Sequence, residues 1–468
     1  MKEENYIREK TLANQPHAIS IDFLRTSGDL ARTRICKINY KEGCYGSGFL
    51  CNIQIDWNNY VKVLMTNNHI LNKNDIQPGK TIEFSIDNDM KLYRILIDNT
   101  RKTYTDEYND VTFIEIIEDD KIDEQSFFDL DQQIFEKDLN NRFRQCQILL
   151  LHYPNGKEVS LSTGIIKNIN EENNTILHLC DTSECSAGGP IINTSNFQII
   201  GIHKGGAEGN NYNIGILLKE PVENFRNKKE SLKQQNSIQN IKIGKELDNL
   251  PKAIPLKAID ILVDLARNSI CKIYYEDGAH GSGFFCNIPN GWNNYVKVLM
   301  TNNNVLNKND ILPNKTIKFS IDNDKQLYSI LIDNMRRTYT NQNYDVTFIE
   351  IKEDDKINEK SFFDLDRQIF KENSKDFFSK CQIFLLHYPK GKEMSLSTGI
   401  IKQIEEDNYT ICHFCDTSGG SSGGPIINTT NYQIIGIHKG AALGHINYNI
   451  GTLLNEPIKK FNEELKKK

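Results

Sequence analysis

The sequence predicts an all-β fold built twice in tandem, and two observations carry that prediction. Segments recur at a fixed offset of 235 residues: YGSGFLCN at 45–52 returns as HGSGFFCN at 280–287, and VKVLMTNNHILNKNDI at 61–76 returns as VKVLMTNNNVLNKNDI at 296–311. The offset runs without insertion from Ile35/Ile270 to His203/His438, and one extra residue enters the second copy near Gly444. A fixed period of this length marks a duplicated unit. Within each copy, short runs rich in β-branched and aromatic residues (VKVLMTN, TIEFSI, VTFIEI, QILLL, FQIIGIH) are separated by Asn, Asp and Gly turns. That is the pattern of antiparallel barrels or sandwiches.

The repeat sets the organisation: an N-terminal extension at 1–17, copy one at 18–230, a linker at 231–249 and copy two at 250–468. The linker is polar and charged, with little to bury. A short helix, AIDILVDLAR at 258–267, precedes the first strand of copy two, and each copy ends in a helix.

Composition narrows the function classes. A chain of 468 residues is too long for one core. No run approaches the roughly 18 apolar residues of a membrane span, so no membrane partner is expected. MKEENYIREK has no apolar signal core, so an intracellular, cytoplasmic protein is expected. A net charge of −6 argues against nucleic acid as a partner. The 11 cysteines show neither CxxC nor Cys/His zinc spacing, so reduced thiols and no metal site are expected.

Five motifs occur in the same order in both copies: GSGF, TNNHI (TNNNV in copy two), DVTFIEI, a Gly-Gly-Pro loop and GIHKG. Serine-based acyl transfer needs an attacking hydroxyl, a histidine to take its proton, a carboxylate to orient that histidine, and two N–H groups for the oxyanion. With these motifs in order, twice, each copy resembles the trypsin-like domains of the chymotrypsin clan. TNNH is similar to the HtrA-type proteases, and the GIHKG strand is similar to the glutamyl endopeptidases. The resemblance implies two tandem chymotrypsin-like domains, each a double antiparallel β-barrel with a cleft between the barrels. It also implies a peptide or protein as substrate or ligand, and no cofactor.

Carried over residue by residue, the resemblance makes His69 the base of copy one and Asp110 its orienting carboxylate. The nucleophile position holds Ala187, and Cys185 stands where the family's oxyanion loop has glycine. In copy two Asp345, Ser422 and Gly420 match, but the base position holds Asn304, whose carboxamide takes no proton at neutral pH. Each copy therefore lacks a different part, and the expected protein is a catalytically impaired one that binds peptides or proteins. The alternative is an active serine endopeptidase, with Ala187 replacing an authentic serine or Ser422 using another base. Cys185 or Ser186 as displaced nucleophiles remain open as minor alternatives. For specificity, His203 and His438 suggest recognition of Glu or Asp, whereas Asp181 and Asp416, six residues before the nucleophile positions, suggest Lys or Arg.

Overall fold

The computed structural model describes residues 15–466 except 42, 57–58, 208–209, 228–240, 243–249, 276–277, 291–293, 406–408 and 442–447. The expected linker lies outside the described residues apart from a two-residue strand, Ile241–Lys242. The chain forms two compact units, Arg25–Asp260 and Ile261–Lys468, the latter together with the segment ending at Leu24.

In the unit Arg25–Asp260 the first sheet runs, edge to edge, Lys91–Leu96, Thr81–Ile86, Ile35–Lys41, Cys44–Gln54, Tyr60–Thr66, Val111–Glu115 and Thr103–Asp106. All these pairings are antiparallel. The second sheet runs Gln147–His152, Pro190–Asn193, Ile199–Ala207, Asn213–Leu217, Thr175–His178 and Ser160–Asn170. Its first and last strands also pair with each other, which closes it into a barrel. The other unit repeats both sheets with equivalent strands. Mostly strands with few short helices, this is the all-β tandem fold that the sequence predicts. The expected helix at 258–267 is Leu256–Ser269, and the terminal helices are Lys219–Arg226 and Asn455–Leu465.

The alternation of apolar residues explains the cores. Ile38, Leu50, Leu64, Phe84, Ile95 and Ile114 pack into one core on the first sheet, and Ile273, Phe285, Leu299, Phe319, Ile330 and Ile349 into its counterpart. Each such side chain contributes about 1.5–3 kcal/mol on burial. Among the described residues no helix is long and apolar enough to cross a membrane.

The compact units do not coincide with the repeat boundaries, and strand pairing is the reason. The strand Ile254–Pro255, encoded just ahead of copy two, adds to Ser160–Asn170 of copy one through Ser160↔Pro255 and Leu161↔Ile254. Its repeat counterpart Ile19–Ser20 adds to Ser395–Ile404 through Ser395↔Ser20 and Leu396↔Ile19. The two copies have exchanged their leading strands.

Candidate active site

Two adjacent strands deliver His69 and Asp110. Tyr60–Thr66 pairs with Val111–Glu115, with Thr66 opposite Thr112, so the turn after the first and the start of the second lie at the same end of the sheet. Asp110 takes a left-handed backbone (φ 55°) that Asp tolerates better than most residues. The Asn67 amide holds its carbonyl at 2.9 Å. Its carboxylate accepts the His69 backbone N–H at 2.9 Å and lies 2.8 and 3.1 Å from Nδ1 of the ring. Nδ1–H therefore donates to the carboxylate, which leaves Nε2 as the proton acceptor. The imidazole is half exposed, while the carboxylate is buried. His69 also borders a cleft of about 760 Å³ lined by Asn72, Gln77, Thr105 and Tyr108.

The equivalent corner of copy two keeps the frame and lacks the ring. Asp345, at φ 52°, accepts the Asn304 N–H at 2.8 Å, and Asn302 holds its carbonyl at 2.6 Å. The exposed Asn304 side chain makes no hydrogen bond to Asp345 among the described residues. Burial pushes the Asp345 carboxyl up, against the pull of the Asn304 N–H and of the Lys439 ammonium. Burial in turn pushes Lys439 down.

The two Gly-Gly-Pro loops are held alike. Ser47 donates its N–H to the Ala187 carbonyl and its Oγ to the Cys185 carbonyl, each at 2.8 Å. Ser282 does the same to Ser422 (2.8 Å) and Gly420 (2.7 Å). Gly188 sits at φ 89°, where an added Cβ would fall 1.8 Å from the Ser47 carbonyl oxygen, so only glycine fits. Cys185 adopts φ 65° where Gly420 has φ 92°. The loop shape thus survives the side chain, at a cost on the order of 1 kcal/mol. The Glu184 carbonyl accepts the Asn155 N–H at 2.6 Å, so the Cys185 N–H, on the opposite side of a trans peptide, faces the other way. Neither the Cys185 nor the Ala187 N–H donates to an acceptor among the described residues. In copy two the Gly419 carbonyl likewise accepts from the Lys390 N–H, and the Gly420 N–H donates to no acceptor among the described residues.

Ala187 presents a methyl group at the end of this loop. Ser422 presents a hydroxyl that donates to the Lys439 carbonyl at 2.7 Å. Ser186 is fully buried, with its Oγ 2.7 Å from His152 Nδ1 and accepting the Ser183 N–H at 3.0 Å.

The histidines of the GIHKG strands are also buried. The Cys180 N–H donates to His178 Nδ1 at 3.3 Å, which puts the His178 proton on Nε2. That nitrogen lies 3.1 Å from His203 Nδ1, so the His203 proton is on its own Nε2. His203 Nε2 is buried with no acceptor among the described residues. His413 and His438 repeat the relay at the same 3.1 Å, and His438 Nε2 is likewise left without an acceptor. Burial drives all four rings neutral, His178 and His413 down to about 3. The sequence reading missed His178 and His413, although LHLC and CHFC stand at the repeat offset and signalled them.

Asp181 and Asp416 are occupied elsewhere. Asp181 accepts the Ala253 N–H at 3.2 Å and lies 3.7 Å from Lys252. Asp416 accepts the Ala18 N–H at 3.2 Å and lies 3.5 Å from His17. Both carboxylates hold the residues just before an exchanged strand.

No match is found among curated proteins. Among solved structures, the chain is similar to an inactive mutant form of Rv3671c from M. tuberculosis H37Rv at 17% identity, covering 46% of this chain and 93% of that one, with a TM-score of 0.33. It is also similar to the serine endoprotease from Yersinia pestis at 13% identity, covering 44% and 66%, with a TM-score of 0.33. Deg5 is similar at 17% identity, covering 43% and 91%, with a TM-score of 0.32. The family model of the trypsin-like peptidase domain matches twice, at residues 46–202 and 281–437. Built from two such domains in tandem, the chain belongs to the trypsin-like peptidase family.

Proposed function

We propose that this protein binds peptides or proteins carrying an acidic side chain through two trypsin-like clefts, neither of which completes the hydrolytic reaction. The observation that carries this reading is the division of parts. The His69–Asp110 pair is assembled in the copy whose loop carries the Ala187 methyl group, and the Ser422 hydroxyl donates to a backbone carbonyl in the copy with Asn304 in place of that histidine. Without a hydroxyl no acyl bond forms, and without a base the serine stays protonated. The acidic preference rests on the buried His203 and His438 N–H donors, which suit a carboxylate oxygen. The rival aspartates are already engaged by backbone N–H groups.

A second reading has one specific observation in its favour. Copy one keeps the base, its carboxylate and two N–H groups pointing free of the loop, so an Ala187→Ser change would complete an endopeptidase. In that enzyme His69 takes the hydroxyl proton as oxygen attacks the carbonyl, and the backbone N–H groups of Cys185 and of the nucleophile itself hold the oxyanion.

The test is a fluorophosphonate serine probe with the adduct mapped by mass spectrometry, run beside calorimetric titration with Glu-, Gln- and Lys-containing peptides. Expected are no adduct at Ser422 and binding of the Glu peptide alone. An adduct at Ser422 overturns the impaired reading, and preferred binding of the Lys peptide overturns the acidic one.

A further inference from the structure

An unbroken run of hydrogen bonds joins the loop that carries Ser422 to the residues just before the exchanged strand Ile19–Ser20. Asp416 stands between them. Its carboxylate accepts the Ala18 N–H at 3.2 Å, and its carbonyl accepts the Ser397 hydroxyl at 2.7 Å. A hydroxyl has one hydrogen, so Ser397 Oγ, 3.0 Å from His387 Nε2, accepts the ring proton there. His387 Nδ1 is then the lone pair, with Ser421 Oγ at 2.7 Å. That oxygen also lies 2.6 Å from the Ser418 carbonyl, but the carbonyl already accepts the Ser421 N–H at 3.0 Å, so the hydroxyl hydrogen goes to the ring. Ser421 Oγ in turn accepts the Ser418 N–H at 3.1 Å.

Copy one repeats every link. The Asp181 carboxylate accepts the Ala253 N–H at 3.2 Å, and its carbonyl accepts the Ser162 hydroxyl at 2.8 Å. Ser162 Oγ lies 3.0 Å from His152 Nε2, and Ser186 Oγ lies 2.7 Å from His152 Nδ1. The serines and histidines of both runs are buried. Burial drives His387 down to about 4 and His152 down to about 3, so each ring stays neutral and keeps one donor and one acceptor. When one member of such a buried run is lost, its neighbours lose a partner that solvent does not replace. Both runs are complete, although the copies differ at positions 69/304 and 187/422. The two rings are spent on serine hydroxyls, so they hold the loop and take no part in proton transfer.

We infer that His152 and His387 are positioning residues that couple the seating of each exchanged leading segment to the Gly-Gly-Pro loop of the copy it joins. Residues 17–20, encoded ahead of copy one, thereby set the loop of copy two. Residues 252–255, encoded ahead of copy two, set the loop of copy one. Ser421 lies between Gly420 and Ser422, and Ser186 between Cys185 and Ala187, so each run ends at the residues that shape the cleft. Unseating a leading segment is expected to weaken peptide binding in the copy it joins and leave the other unaffected, a consequence that rests on the peptide-binding reading.

The test is hydrogen exchange of the full chain, mapped by proteolysis and mass spectrometry. Ala18→Pro removes the N–H that Asp416 accepts; it is expected to speed exchange of residues 418–424 by about fivefold or more and leave 183–189 unchanged. Ala253→Pro is expected to do the reverse. Ser397→Ala cuts the run in its middle and is expected to speed exchange in both 17–20 and 418–424, whereas Ser397→Thr keeps the hydroxyl and is expected to restore both. The strand Gln382–His387 is expected to exchange as in the unaltered chain throughout. The proposal is overturned if Ala18→Pro loosens 17–20 without 418–424, or if Ser397→Ala speeds exchange of Gln382–His387 as much as that of the loop. Because exchange is read without ligand, the coupling stands or falls apart from peptide binding. Titration of the Ala18→Pro chain with the Glu peptide then tests the functional consequence alone.

Discussion

The His69 corner and the Asn304 corner have the same frame and opposite deficits. In both, an aspartate at positive φ accepts the backbone N–H of the residue at the base position, and an asparagine two residues earlier holds that aspartate's carbonyl. In both, a serine on the neighbouring strand ties down two carbonyls of the nucleophile loop. The frame is therefore independent of the side chain at positions 69/304 and 187/422, since it is the same with His69 and Ala187 in one copy as with Asn304 and Ser422 in the other. Its hydrogen bonds run mainly to backbone, and those are what the fold keeps. The buried carboxyl records the difference: Asp110 has an imidazole partner at 2.8 Å, whereas Asp345, without one, is pushed up by burial.

The comparison can be broken from either side. Ala187→Ser is expected to give the largest effect, raising fluorophosphonate labelling and peptide hydrolysis at copy one by about 10³-fold or more. Labelling unchanged from the unmodified chain would show that the Cys185 loop does not support the reaction. Asn304→His is expected to do less, about 10²-fold in labelling of Ser422, because the hydroxyl must first leave the Lys439 carbonyl. If the two substitutions restore equal rates, that carbonyl contact is of no consequence.

The shared frame makes a stability prediction. Ser47→Ala removes the acceptor of the buried Tyr153 N–H as well as the donor to Cys185, and Ser282→Ala does the same to Tyr388 and Gly420. Each is expected to cost about 1–3 kcal/mol in urea unfolding. A clearly larger loss at Ser47 would locate extra strain at Cys185.

The smallest effect lies at the exchanged strands. His17 and Lys252 occupy equivalent positions, but Asp416 raises the His17 imidazole above its ordinary 6.5, chiefly through a direct hydrogen bond. Protonation is thus favoured in the docked state, so docking of residues 15–20 is fully supported below pH 6.5 and weakens as pH rises through the raised value. The protection of residues 19–20 against hydrogen exchange, relative to the intrinsic amide rate at each pH, is expected to fall as pH rises above 6.5, as a small effect, while the protection of residue 254 does not change. His17→Lys is expected to abolish the difference, and an unchanged pH response in that variant would exclude His17 as its source.

Much of this was legible in the sequence. The strands VKVLMTN, TIEFSI, VTFIEI and QILLL lie where their β-branched composition placed them, because each is long and apolar enough to have no other use. His69 and Asp110 were legible as a pair through motif order, and the structure brings them to 2.8 Å. The histidine relay was only half legible. His203 stood out in GIHKG, but its partner His178 lies on another strand, and only the intervening strand Asn213–Leu217, paired with both, sets them near each other. Asp181 and Asp416 could be read as pocket residues from their spacing, yet spacing says nothing of which backbone N–H arrives to occupy a carboxylate.

By itself the sequence determined the duplication, the β-rich strands, and the presence of a methyl group at Ala187 and a carboxamide at Asn304. All three follow from local composition or from comparison of one copy with the other. Only the tertiary structure decided which leading strand joins which barrel. Ile19 and Ile254 are the same residue type, and so are their partners Leu396 and Leu161, so self-pairing and exchanged pairing make the same backbone hydrogen bonds. With no local energy to tell them apart, the path of the whole chain makes the choice.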